Sequence, residues 1–483
     1  MVTRRQFIRT ISSMACGSLV FPQVLYSNNF LENILNNVPK APLNSGFVWG
    51  AASAAFQTEG AWNEDGRTPS IWDTFTDKKG KIKNADHARM ASDFYHRYPE
   101  DIALLKEMNF NAFRFSLSWS RLLPQGTGAV NPKGVDFYNR VIDNCLELGI
   151  VPWVTLYHWD LPQALQNKGG WTNRDIVGWF SEYTQVAAKY FGDRVKHWII
   201  LNEPMGFTSF GYLLGIHAPG KIGFRNFLPA VHHAALCQSV GAGVVRNWVN
   251  HAQIGTTFSC SPVIPINDSP KNVAAAARID AGLNRLFIEP SLGMGYPVET
   301  LPYLRRLEKY FKPGDENLLP FDFDFIGLQY YFRVFAKNAF LPPLYAYQVD
   351  AKHRDIPLNT MGLEIYPDGI ADVLSQFSAY KGVKKIYITE SGVCYNDKLT
   401  ADGKIADYER IAYFKATIEK IEQARQKGIP VEGYFVWSLT DNFEWREGYA
   451  PRFGLVYIDY QTQKRMMKES GKWFKEYLLM NNL

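Results

Sequence analysis

Eight short runs rich in apolar and β-branched residues recur along the chain, at positions 47–56, 112–119, 150–158, 197–201, 253–259, 325–331, 385–389 and 433–439. That rhythm limits the fold more than any other feature of the sequence. Several runs lack polar alternation, the pattern of strands buried on both faces of a parallel sheet. Parallel neighbours need crossovers, and amphipathic stretches at 98–108, 133–148, 174–190, 228–245, 368–379 and 405–427 supply them. Eight strands alternating with helices predict an α/β fold: a single (β/α)8 TIM barrel with long loops at the C-terminal rim. An open doubly wound sheet is the alternative. No Gly-x-Gly-x-x-Gly follows the first run and no Gly-Lys-Ser/Thr occurs, so nucleotide binding has no support.

No Gly/Ser- or Pro-rich linker divides the chain beyond about residue 45, and residues 46–480 read as one barrel domain. The N-terminus is different. Thr3-Arg4-Arg5-Gln6-Phe7-Ile8-Arg9 precedes a weakly apolar stretch too short to span a bilayer. Paired arginines there resemble a twin-arginine export signal over residues 1–27, with 28–45 as a linker or N-terminal arm. This predicts a periplasmic protein, cytoplasmic if the signal is not used, with no stable membrane insertion. The net charge is only +5, and Arg4, Arg5 and Arg9 supply three of the positive charges; a nucleic-acid surface is not expected. Cys145, Cys237, Cys260 and Cys394 lack metal-type spacing and read as buried thiols without a structural disulfide.

In such a barrel, catalytic groups come from the C-terminal ends of the strands. The first run reaches Gln57, the second carries Arg114, and the third ends in His158-Trp159-Asp160. The fourth ends in Asn202-Glu203-Pro204, the sixth in Gln329-Tyr330-Tyr331 and the seventh in Glu390-Ser391-Gly392. The eighth ends in Trp437, followed by Asp441-Asn442-Phe443-Glu444-Trp445. Aromatic residues make up 15% of the chain, which suits a pocket for a ligand with both apolar and hydroxylated faces. Glu203 and Glu390 each follow a strongly apolar run, where an ion is rarely placed without a partner or a task. Strands four and seven are expected across the barrel from each other, so the two carboxyl groups can flank a substrate. Glycoside hydrolysis needs that arrangement.

At these residues the sequence resembles the family 1 glycoside hydrolases, from Phe47 to about Tyr460. The resemblance rests on Phe47-Val48-Trp49-Gly50-Ala51-Ala52 leading to Gln57 and Glu59-Gly60-Ala61, on Arg114-Phe115-Ser116, and on His158-Trp159-Asp160-Leu161-Pro162. It continues through Asn202-Glu203-Pro204, Ile388-Thr389-Glu390-Ser391-Gly392 and Trp437-Ser438-Leu439-Thr440-Asp441-Asn442-Phe443-Glu444-Trp445. It implies that Glu203 is the general acid and base and Glu390 the nucleophile of a retaining double displacement, their carboxyls about 5–5.5 Å apart. Arg114 and Tyr331 would support the nucleophile. Gln57, His158, Asn202, Tyr331, Trp437, Glu444 and Trp445 would hold the sugar, with Asn202 on the 2-OH and the Trp437 ring under the apolar face. Glu444 would repel a 6-phosphate, so unphosphorylated sugars are expected.

Two positions depart from the family pattern, where Asn is more usual: Gln329 and Ser391. The segment 332–357, with Phe335, Phe340, Leu341, Tyr345 and Tyr347, is a candidate wall for the leaving group. The expected activity is that of an exo-acting β-glucosidase with no cofactor and no metal, acting on a small β-glycoside or oligosaccharide. The alternatives are a transglycosylase on the same site and a carbohydrate-binding barrel without turnover. The presence of both Glu203 and Glu390 argues against the binder.

Overall fold

Residues 46–481 are described by the computed structural model of the protein, so the export signal and arm expected over 1–45 lie outside the described residues. Each of the eight apolar runs overlaps a strand. Counting only barrel strands, these are β1 (Val48–Ala52), β2 (Ala112–Ser116), β3 (Val151–Tyr157), β4 (His197–Asn202), β5 (Gln253–Cys260), β6 (Phe325–Tyr330), β7 (Ile386–Ser391) and β8 (Val431–Trp437). They pair in parallel in chain order, and β8 closes back on β1. The barrel is therefore the expected (β/α)8 fold. Its principal helices are α1 (Phe94–Glu107), α2 (Pro132–Glu147), α3 (Ile176–Phe191), α4 (Phe224–Trp248), α5 (Pro270–Asp280), α6 (Gly369–Ser378), α7 (Tyr408–Gln426) and α8 (Glu469–Asn481).

Three details depart from the sequence expectation. The first run does not stay extended: the chain turns into a short helix, Ala55–Thr58, whose Ala55 N–H donates to Ser116 Oγ at 2.8 Å. That turn carries Gln57. Helices α5 and α8 were not among the expected helices; α5 is alanine-rich and packs on a small sheet of Val263–Pro265, Val334–Asn338 and Ala346–Gln348. Finally, β8 rather than β7 stands opposite β4, since the ring runs in chain order. The two glutamate-bearing strands are separated by β5 and β6 on their shorter side.

Alternation along the strands stacks the barrel interior in layers. Trp153, Phe325, Tyr387 and Phe435 form an aromatic plug, with Trp153 edge-on to the other three at 4.7–5.3 Å between centroids. Glycines make room for the rings: a Cβ on Gly50 would stand 2.3 Å from Phe435, and one on Gly255 2.3 Å from Phe325. Two residues further along the strands, Arg114, Thr155, Thr257 and Thr389 form a polar layer, with Arg114 Nε donating to Thr155 Oγ1 at 3.2 Å and the threonine hydroxyls of 257 and 389 bonded to each other. The plug thus closes the barrel beneath a polar platform.

A buried ion network fixes the loops after β7 and β8. Lys468 is fully buried and donates to Asp441 Oδ1 at 2.7 Å and to Asp397, while Arg410 bonds Asp397 at 2.8 Å and also holds Asp407. Arg452 reaches the other oxygen of Asp441 at 2.6 Å. Removing Lys468 leaves the three buried carboxylates of Asp397, Asp407 and Asp441 facing only Arg410 and Arg452, one cation short in a dry site. Lys468→Ala is therefore expected to lower stability by about 3–5 kcal/mol, measured by denaturant unfolding; a loss below about 1 kcal/mol would show that the network does not brace these loops.

Candidate active site

A pocket opens at the C-terminal rim, blind because the aromatic plug closes the barrel beneath it. Its lining includes Gln57, His158, Glu203, Tyr331, Glu390, Trp437, Glu444 and Trp445. The structure therefore gathers these sequence-predicted residues into one cavity. Arg114 and Asn202 are fully buried and lie behind that lining.

Glu203 follows β4 at φ 44° and ψ 65°, a left-handed conformation that sends the chain straight into the helical turn Pro204–Thr208. Its N–H donates to Thr257 O at 3.0 Å. The β4–β5 register shifts between Ile199 and Asn202, and the β6–β7 register shifts between Ile388 and Glu390. Irregularities of this kind re-aim side chains at strand ends. Strict alternation would turn Glu390 away from the interior after Thr389; the shift lets both face it.

The two carboxyl groups have unlike surroundings. Arg114 donates to Glu390 Oε1, and the Tyr331 hydroxyl donates to Glu390 Oε2 at 2.8 Å. Burial pushes the Glu390 carboxyl up, and Arg114 and Tyr331 oppose it. Burial also holds the Tyr331 hydroxyl well above its ordinary range, so it remains a donor. Glu203 receives a hydrogen bond from Ser259 but no guanidinium, and burial together with the charge of Glu390 pushes it up to about 8. Between the two, Glu390 loses its proton first. Glu444 is also pushed up to about 8, mainly by burial, while Trp437 Nε1 donates to its Oε1 at 2.9 Å.

Asn202 was expected on a sugar hydroxyl. Behind the pocket lining it forms a clamp: its Oδ1 accepts from Arg114 and from Gln329 Nε2 at 2.7 Å, and its amide nitrogen, which carries two hydrogens, lies 3.1 Å from His158 Nε2. These contacts fix the amide orientation, so His158 Nε2 is the acceptor. Burial and Arg114 hold His158 well below its ordinary pKa. A neutral ring that accepts at Nε2 carries its hydrogen on Nδ1, which has no partner among the described residues. Gln57 Oε1 is likewise unpartnered, its amide nitrogen donating to Asn442 Oδ1 and Phe443 O, both at 3.0 Å. Two residues of the pocket lining thus carry one donor and one acceptor without a partner among the described residues.

Of the two departures, Gln329 belongs to the Asn202 clamp. Ser391 pairs with the Tyr413 hydroxyl of α7 at 3.0 Å. Sequence reasoning missed Ser259, although it closes the fifth run. Trp159, held outside the expected sugar contacts, lines the pocket and stacks on Trp445 at 4.7 Å. In the segment 332–357, Phe332 lines the pocket; the five residues singled out there do not, and Phe340 is 96% exposed.

The sequence pattern of "Glycosyl hydrolase family 1" matches residues 39–483. The chain belongs to this family. It is similar to beta-glucosidase A of Thermotoga maritima, 43% identical over 92% of this chain and 99% of the relative. It is also similar to a 1,4-beta-D-glucan glucohydrolase of Thermotoga neapolitana, 42% identical over 91% of this chain and 98% of the relative. The solved structure of the T. maritima beta-glucosidase in complex with deoxynojirimycin superposes with a TM-score of 0.88 at 42% identity, covering 92% of this chain and 99% of that one.

Proposed function

We propose that the protein is a retaining, exo-acting β-glucosidase that hydrolyses terminal β-D-glucosyl residues of unphosphorylated glycosides. One observation carries this reading: two carboxyl groups share a blind pocket, and only one of them is held by a guanidinium and a phenol. Environments that separate the proton affinities of paired carboxyls assign the acid and the base. The names of the similar enzymes support glucose as the sugar. A pocket closed by buried Gln57, His158, Trp437 and Glu444 suits a chain end. A 6-phosphate would bury its charge against Glu444, which offers a carboxyl and no cation to balance it.

Glu390 attacks the anomeric carbon while Glu203 gives its proton to the glycosidic oxygen. The carbon–oxygen bond breaks, the alcohol leaves, and an ester joins the sugar to Glu390. Esterification removes the negative charge that had raised Glu203, which now holds a proton less tightly and serves as base. Water gives Glu203 a proton and attacks the anomeric carbon from the face the alcohol left. The ester breaks, and glucose departs with its original configuration. An alcohol in place of water gives transglycosylation on the same site.

Hydrolysis requires protonated Glu203, so kcat/KM falls as pH rises through about 8. Glu203→Gln is expected to cut turnover of methyl glucoside more than a hundredfold and to abolish that basic limb in what remains, while sparing kcat/KM on a 2,4-dinitrophenyl glucoside, which needs no acid. Glu390→Gln should stop both substrates. Retention of the limb in Glu203→Gln would assign it to Glu444 and refute the acid role of Glu203.

The same proposal extends to location. The family match begins at residue 39, leaving Arg4-Arg5 outside it, which supports export through the twin-arginine route. The full chain should fractionate with the periplasm, and replacing both arginines by lysine should retain it in the cytoplasm; equal distribution of both forms would refute export by this signal.

A further inference from the structure

The pocket is divided by chemistry. Its floor is polar and buried, whereas the mouth carries Met205, Phe210 and Ile216 after β4, Leu283 after β5, and Phe332 and Met361 after β6, all partly exposed. These strands are neighbours in the ring, so the apolar residues follow one sector of the rim. Glu203 follows β4 in that sector. A leaving group must have its oxygen beside the proton donor, so it departs over the same sector.

We infer that the leaving-group site selects an apolar aglycone, alkyl or aryl, over a second sugar; this rests on the β-glucosidase reading. The polar groups of the sector are few, and His217, whose buried Nδ1 has no partner among the described residues, is the exception to their being engaged. Ser259 bonds Glu203, and the backbone of Ser261 is bonded in both directions to Asn284, at 3.1 and 2.9 Å. The charged Arg446 and Glu447 follow β8, away from this sector. A hydroxylated ring pressed against methionine, leucine and phenylalanine loses bonds to water without replacing them. An alkyl chain there gains free energy with each buried methylene.

The test compares methyl β-D-glucoside, octyl β-D-glucoside below its micellar concentration, and cellobiose. All three release ordinary alcohols that need acid assistance, so differences report the mouth rather than leaving-group reactivity. The expected kcat/KM for octyl glucoside is at least tenfold above those for methyl glucoside and cellobiose. Leu283→Asn and Met361→Gln should each reduce the octyl-to-methyl ratio at least fivefold, a ratio independent of the folded fraction. Cellobiose turned over as well as octyl glucoside, or ratios unmoved by both variants, would overturn the inference alone. Hydrolysis of none of the three would overturn the β-glucosidase reading and this inference with it.

Discussion

The site depends on one guanidinium. Arg114, fully buried within the barrel, donates to Glu390, to Asn202, to Thr155 Oγ1 and to Thr389 O. A buried cation must be surrounded by acceptors or it is strongly destabilising. That demand ties together the ends of four strands: its own β2, the β3 threonine, the β4 asparagine and the β7 nucleophile. Arginine suits this position because its planar fork satisfies several acceptors at fixed angles and does not deprotonate. A lysine would supply the charge without the fork.

The reach of Arg114 also separates the carboxyl groups chemically. Glu390 lies within its fork, and Glu203 does not. Without the cation, both would be buried acids with raised proton affinities, and neither would be a nucleophile at neutral pH. Through Asn202 the same guanidinium reaches the sugar-holding side of the pocket, because the amide it orients fixes which nitrogen of His158 bears the hydrogen. Catalytic charge and binding polarity therefore share one origin, with the aromatic plug of Trp153, Phe325, Tyr387 and Phe435 as a rigid base below.

Much of this was legible in the sequence, for identifiable reasons. Apolar runs with polar ends follow directly from strands buried on both faces, so β1–β8 and the rim residues Gln57, His158, Glu203, Glu390 and Glu444 could be read off. What stayed hidden depended on register or distance. The shifts around Asn202 and Glu390 decide which side chains face the pocket, and no local pattern encodes them. Ser259 looked like an ordinary strand residue because its partner lies on β4. The apolar mouth is assembled from loops far apart in sequence, and Phe340, conspicuous in the chain, stands at an exposed hairpin tip.

The central claim is that burial and the charge of Glu390 together hold the proton on Glu203. It is tested most directly by carboxyl carbon-13 NMR titration of glutamate-labelled protein, free and with a 2-fluoroglucosyl group trapped on the enzyme, using Glu203→Gln and Glu390→Gln for assignment. The account predicts that Glu203 titrates near 8 in the free protein, above Glu390, and falls by a unit or more, about 1.4 kcal/mol or greater, when the label esterifies Glu390. A Glu203 that titrates at or below Glu390, or does not move on trapping, would contradict it.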